Sequence, residues 1–307
     1  MTRLPAAVRE SIENVARSQK LGARIERIEP VAGGCISNGV GLTLDSGARL
    51  FLKWRANPPP GMFAAEADGL RALRAAAAEA RVEICIPLPV AHDADSTVGW
   101  LLMEWVGHGQ RTNATDEALG RALAAIHCAE TEPEWGWHTD NWIGSLPQSN
   151  RAHPRWCRFW ARERIGPQLA RARVGGHCHH EIFDHVIEVT PDALGGDGPS
   201  EPPVTLLHGD LWAGNAYAST DGVPVLVDPA VFRGDSEVDL AMTELFGGFG
   251  EDFYTAYAAA RPISAEYRSH RRDLYQLYYL LVHVNLFGAS YEAGALMSAE
   301  RVVRALR

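Results

Sequence analysis

The chain has 307 residues, 46% hydrophobic and 22% charged, a globular composition with room for two lobes built on sizeable cores. Its formal charge of −9, from 38 acids against 29 Lys and Arg, argues against a general nucleic-acid binder, which would carry a basic patch or stripe. No apolar run approaches the roughly 20 residues that span a bilayer, so no membrane partner is expected.

The first twenty residues, MTRLPAAVRESIENVARSQK, carry acids and no continuous apolar core. They read as a short amphipathic helix rather than a secretory leader. A small antiparallel sheet is expected over residues 24–54: GARIERIEPVAGG runs into a Gly-rich turn, and GVGLTLDSGARLFLKW alternates around a Ser46-Gly47 turn. NPPPG (Asn57 to Gly61) breaks the strand, and the Ala-rich MFAAEADGLRALRAAAAEA follows as a helix. IPLPVAHD and VGWLLMEWV, the latter a strand ending near Val106, complete the order β-β-β-α-β-β.

The remainder is predicted to be mainly helical. DEALGRALAAIHCAE, capped by Thr115 or Asp116, places Leu119, Leu123 and Ile126 at helical spacing. WCRFWARERIGPQLARA and EIFDHVIEVTPDAL are further amphipathic helices. GGDGPSEPP (Gly195 to Pro203) reads as a surface loop, and Glu237 to Arg307 as a helical tail. The fold class is therefore α+β and bilobal, with a small β-rich N-terminal lobe over residues 1–105 and a larger, mainly helical lobe over 106–307.

The five cysteines (Cys35, Cys85, Cys128, Cys157, Cys178) are odd in number and form no CxxC pair, as expected of a chain in a reducing cytoplasm. HCHH, His177 to His180, has adjacent residues that converge poorly on one ion, and it reads as a solvated loop between helices.

The segment HGDLWAGN (His208 to Asn215), followed by VPVLVDP (Val223 to Pro229), carries the chemistry. An Asp, an Asn five residues later and an Asp thirteen residues after that meet the needs of phosphoryl transfer. Asp210 can accept a hydroxyl proton, while Asn215 and Asp228 can hold Mg²⁺ against the phosphates of ATP. The apolar runs Val204 to Leu207 and Val225 to Val227 read as short buried strands that deliver the carboxylates to a cleft.

On the nucleotide side, Lys53 lies between apolar Leu52 and Trp54, and Glu66 follows in the next helix. A strand Lys held by a helix Glu is the pair that positions ATP in kinases. In the turn AGGCISNG, backbone N–H groups near Gly33 and Gly34, together with Ser37, are candidate phosphate contacts. LLMEWV, with Met103, Glu104 and Trp105, is the expected link between lobes, its backbone facing the adenine edge. Cys35 lies inside the phosphate turn, where oxidation would hinder ATP binding or link two chains of an otherwise monomeric protein.

With these residues in view, the chain resembles the fructosamine kinase (ketosamine-3-kinase) family, within the protein-kinase-like fold shared with aminoglycoside and choline phosphotransferases. The resemblance rests on GGCISNG, FLKW with AEADGL, LLMEWV, DNWIGSLPQSN, FWARERIGPQL, LLHGDLWAGN, VLVDPAVFRGDSEVDLAMTELFGGF and YQLYYLLVHVNLFGASY. It implies Asp210 as catalytic base, Asn215 and Asp228 as Mg²⁺ ligands, and Lys53 with Glu66 as the phosphate-positioning pair. It also implies phosphorylation of O3 of a sugar-amine adduct, leading to deglycation, with ribulosamines or erythrulosamines favoured over fructosamines. Trp212 beside the base and His283 from the C-terminal helices are candidate substrate contacts, while Asp239 and His208 are expected to brace the catalytic loop. The rivals are a kinase of the aminoglycoside or choline type and a non-catalytic nucleotide-binding pseudokinase; the latter is disfavoured because Lys53, Asp210 and Asp228 are all present.

Overall fold

Strand alternation decides which way the small lobe faces. The computed structural model describes residues 4–31, 37–93, 97–129, 132–196 and 201–307. Within it, α1 (Ala6–Ser18) precedes β1 (Ile25–Pro30), β2 (Asn38–Leu44) and β3 (Arg49–Ala56). Next come α2 (Met62–Ala80), β4 (Pro89–Asp93) and β5 (Val98–Glu104). The five strands form one antiparallel sheet in the order β1-β2-β3-β5-β4. Leu50, Leu52 and Trp54 of β3, with Trp100 and Leu102 of β5, pack against Val8, Ile12 and Ala16 of α1. The intervening residues must face the opposite side, since side chains alternate along a strand. That side receives Phe51, Lys53, Leu101 and Met103, and it is the side that opens on the cleft.

Helix α2 bridges the two halves of the molecule. Its Phe63, Ala67, Leu70 and Leu73 belong to the large core of the helical region, while Glu66 reaches back to β3. Asn57 to Gly61 separate β3 from this helix, and Gly61 sits at φ 72 just before its first turn.

Three local expectations change. β5 stops at Glu104 rather than near Val106, because Leu50 pairs with Glu104 close to the start of β3, at Arg49, leaving little strand to pair with Trp105. α3 (Asn113–Cys128) is capped by Thr112, not Thr115 or Asp116. Thr112 is extended there, its hydroxyl accepts the Thr115 N–H at 3.3 Å, and the Thr115 hydroxyl returns to the Thr112 N–H. Asp116 instead pairs with Arg111 and accepts the Gly250 N–H at 2.9 Å. Finally, the helix over WCRFWARERIGPQLARA is not uniform: α4 (Trp156–Phe159) and α5 (Gly166–Val174) flank a π-helical stretch, Trp160–Ile165.

The remaining elements surround the short strands that flank His208 to Asn215 and Asp228. Hairpin β6 (Asn141–Ile143) and β7 (Leu146–Gln148) lies under α2, and α6 is Ile182–Ala193. β8 (Thr205–Leu207) pairs with β11 (Phe232–Gly234), and β9 (Ala216–Ala218) with β10 (Pro224–Leu226). The tail folds as α7 (Glu237–Leu245), α8 (Glu251–Ala260), α9 (Arg272–Phe287) and α10 (Glu292–Ala305). His177 to His180 lie between α5 and α6, where His177 and the Cys178 N–H meet Glu292. Residues 197–200 of the Gly/Pro-rich loop lie outside the described residues. No described helix is long and apolar enough to cross a membrane.

Candidate active site

Two turns carry the acidic residues, and both are shaped by backbone constraints. Gly209 has φ +80, and a Cβ there would sit 2.1 Å from the Ala230 carbonyl, so only glycine fits between the two turns. Asp228 itself adopts φ 55, uncommon for a non-glycine residue and consistent with a turn held by its surroundings. The turns are tied directly: Ala230 N–H donates to the His208 carbonyl at 2.9 Å and Val227 N–H to the Asn215 carbonyl at 3.0 Å.

His208, fully buried, joins them again. Its Nε2 lies 2.9 Å from the Val227 carbonyl and its Nδ1 faces the Asp210 N–H at 3.3 Å. Nε2–H therefore donates and Nδ1 accepts, the pattern of a neutral imidazole, and burial holds its pKa below the ordinary value. Asp239 of α7 accepts the backbone N–H of His208 at 2.7 Å and of Gly209 at 2.9 Å. The His127 Nε2 lies 3.2 Å from the same carboxylate, and Tyr257 meets His127 Nδ1 at 2.9 Å. Burial opposes ionisation of Asp239, yet the His127 hydrogen bond and charge keep its pKa below the usual carboxylate value. The Tyr279 hydroxyl donates to the Gly209 carbonyl at 2.9 Å. Neither His127, Tyr257 nor Tyr279 stands out in the sequence, since each lies in an ordinary helical pattern far from the turns it supports.

Lys53, Glu66 and Asp228 meet as a three-member charge cluster. Lys53 Nζ lies 2.9 and 3.0 Å from the Glu66 oxygens and 3.0 Å from Asp228 Oδ1. Burial would lower the Lys53 pKa, but the two carboxylates outweigh it and the ammonium stays charged. Burial, reinforced by the Asp228 charge, pushes Glu66 up to about 7. Asp210 lies nearby, its Oδ2 3.3 Å from Asn215 Nδ2, which also donates to the Asp210 carbonyl at 2.8 Å. Burial and then the Asp228 charge raise Asp210 to about 7.

Two adjoining cavities share this cluster. One, of about 120 Å³, is lined by Phe51, Met103, Glu104, Trp105, Val106, His108 and Tyr217. Here the His108 and Tyr217 rings stack at 3.8 Å, and the Glu104 carboxylate turns outward to the Leu88 N–H and Arg74. The other, of about 800 Å³, contains Asp210, Trp212, Asn215 and His283. Ser37, Lys53 and Asp228 line both. Gly33, Gly34 and Cys35 lie outside the described residues.

The residues present fit Mg²⁺ and a nucleotide. Three acidic side chains, Glu66, Asp210 and Asp228, face one cation, Lys53, so once Glu66 and Asp210 ionise the cleft carries surplus negative charge that a divalent ion would offset. The Asp228 carboxylate and the Asn215 amide suit Mg²⁺, which takes few protein ligands and completes its shell with phosphates and water. The Ser37 hydroxyl is buried at the junction of the cavities with no partner among the described residues, a donor left for a phosphate oxygen.

Residues 8–305 match the family described as fructosamine kinase. The chain belongs to that family. It is 37% identical over 302 residues to a protein of Synechocystis named as a probable ketoamine kinase, covering 98% of each chain. It is 35% identical to a chloroplastic protein-ribulosamine 3-kinase of Oryza sativa, covering 92% of this chain and 81% of that one. The crystal structure of a fructosamine-3-kinase candidate from Thermobifida fusca is 33% identical, with a TM-score of 0.81 over 94% of this chain and 98% of that chain. The aminoglycoside phosphotransferase APH(4)-Ia, at 15% identity and a TM-score of 0.61 over 96% and 98% of the two chains, shares the fold. The protein is thus a bilobal, kinase-like phosphotransferase of the fructosamine-3-kinase type, a fold that implies ATP as the phosphoryl donor.

The raised Asp210 pKa has a measurable consequence in metal- and nucleotide-free protein. Between about pH 4 and 7 the unfolded chain has released this proton and the folded chain still holds it, so the Asp210 contribution to stability falls as pH rises. Asp210→Asn removes the titration. The variant should gain on the wild type by about 1–3 kcal/mol across that window, after allowance for partial solvent screening. Urea unfolding at a series of pH values in EDTA measures the difference; a pH-independent gap would show that Asp210 ionises normally.

Proposed function

We propose that the protein transfers the γ-phosphoryl group of ATP to O3 of ketosamines formed on amines, with ribulosamine or erythrulosamine adducts as preferred acceptors. The observation that carries the reading is the placement of Asp210 in the same large cavity as Lys53, Glu66, Asn215 and Asp228, with Lys53 bonded to both Glu66 and Asp228. The 35% identity to the rice ribulosamine kinase supports the smaller sugar.

Asp210 acts as the base. Its carboxylate accepts the acceptor hydroxyl proton as that oxygen bonds to phosphorus, and the Asn215 amide holds the side chain and the loop in place. Lys53, fixed by Glu66, contacts the nucleotide phosphates, and Ser37 donates to a phosphate oxygen. Asn215 Oδ1 and Asp228 would hold Mg²⁺, which when bound neutralises phosphate charge. Met103, Glu104 and Trp105 border the adenine through the backbone, while Trp212 packs on the sugar and His283 lines the same cavity as a second acceptor contact. In the product, enolisation toward the nitrogen-bearing C1 expels phosphate from C3, and hydrolysis of the resulting imine frees the amine. That sequence makes the phosphorylation a deglycation step.

The test is Mg²⁺-ATP consumption with ribulosyl-lysine, erythrulosyl-lysine, fructosyl-lysine, kanamycin and choline. Turnover should be fastest on the two smaller ketosamines and absent with kanamycin and choline. Turnover confined to kanamycin or choline would reject the acceptor class while leaving the phosphotransferase fold intact.

A further inference from the structure

Besides its acidic residues, the acceptor cavity has aromatic walls. Six large apolar side chains are exposed among the described residues, and the three aromatic ones, Trp212, Phe246 and Phe287 at 38%, 43% and 48% exposure, all line this cavity. Exposed aromatic side chains in the wall of a cavity mark a binding surface. Around His283 the rings are continuous: Phe246 lies at 4.7 Å, Tyr291 at 4.9 Å and Phe287 at 5.5 Å between centroids. No Lys or Arg other than Lys53 lines the cavity among the described residues, and Lys53 is engaged by two carboxylates.

His283 adds a directed acceptor. Its Nδ1 lies 2.8 Å from the Tyr279 carbonyl, so Nδ1 carries the hydrogen and Nε2 presents a lone pair. Burial lowers its pKa, which keeps the ring neutral at physiological pH and able to accept. Aromatic faces, one neutral imidazole acceptor and no competing cation are the chemistry of an ammonium site.

We propose that this ring cluster around His283 is a subsite for the protonated secondary amine of the acceptor, with His283 Nε2 accepting its N–H and the faces of Phe246, Phe287 and Tyr291 offsetting its charge. The subsite rests on the ketosamine reading and deepens it: the enzyme selects the adduct by its cationic nitrogen as well as by its sugar. A sugar ether that lacks that charge is a poor acceptor although its reacting hydroxyl is unchanged.

The test compares two acceptors with the same sugar, 1-butylamino-1-deoxyribulose and its neutral counterpart 1-O-butylribulose. For the wild type, kcat/KM should favour the amine by at least about 10-fold, the discrimination expected from several partly exposed cation–aromatic contacts plus a hydrogen bond. In Phe246→Leu/Phe287→Leu, which keeps apolar volume at two exposed positions, the preference should fall to within about 3-fold, chiefly through a higher KM for the amine. His283→Leu provides a second, independent loss. Equal use of both acceptors by the wild type, or an unchanged preference in both variants, overturns the subsite and leaves the ketosamine reading standing. Failure to phosphorylate either acceptor removes that reading, and the subsite with it.

Discussion

Replacing Asp210 with Asn is expected to lower turnover on a ketosamine by about 10²–10⁴-fold, the usual contribution of a positioned general base. The substitution keeps size and shape, and an Asn at this position still packs beside the Asn215 amide 3.3 Å away. What it removes is the lone carboxylate of the cavity that is not engaged by Lys53 among the described contacts. Loss of one negative charge near the phosphates should leave nucleotide affinity unchanged or slightly tighter, so the defect falls on kcat and not on the KM for ATP. Steady-state kinetics with calorimetric titration of Mg²⁺-ATP separates the two. A variant that turns over at near wild-type rate would take Asp210 out of the proton transfer and leave Asp228 or solvent to perform it.

The second large effect is structural. Asp239→Ala should destabilise the fold by about 3–5 kcal/mol, because it leaves three donors without an acceptor in a dry interior. Those donors are the backbone N–H groups of His208 and Gly209 and the ring of His127. The loss is local to the Asp210 turn: two of the three donors lie within two residues of Asp210. The variant that remains folded at low temperature should therefore also lose activity, through a loosened turn. Urea unfolding followed by intrinsic fluorescence, paired with assays at 10 °C, measures both. A loss below about 1 kcal/mol would mean that water replaces the carboxylate.

Much of the geometry of this candidate site was legible because its residues sit in short, local patterns. HGDLWAGN places Asp210 and Asn215 on one turn, and the alternation Leu52-Lys53-Trp54 sends the lysine to the face opposite two buried apolar residues. Glu66 follows thirteen residues on and meets it at 2.9 Å. The rest depends on contacts that carry no periodic signal. Asp239 pairs with His127 across 112 residues and His127 with Tyr257 across 130, so only the folded chain brings them together. The bond from Lys53 to Asp228 likewise crosses between sheet and helical region. The sequence does not single out Thr112 as the α3 cap because Thr115 and Asp116 are equally good cap types, and the choice falls to the backbone angles of Thr112. The π-helical stretch in WARERI has no composition signal at all.

The measurement that bears most directly on the account is the position of the phosphate in the product. Ribulosyl-lysine incubated with Mg²⁺-ATP and enzyme, followed by proton–phosphorus correlated NMR, should show phosphate coupled to the proton on C3. That signal should decay into inorganic phosphate as free lysine appears, with neither event in Asp210→Asn. Phosphate on another hydroxyl, or a stable phosphate ester with no release of lysine, would contradict a ketosamine 3-kinase that repairs glycated amines.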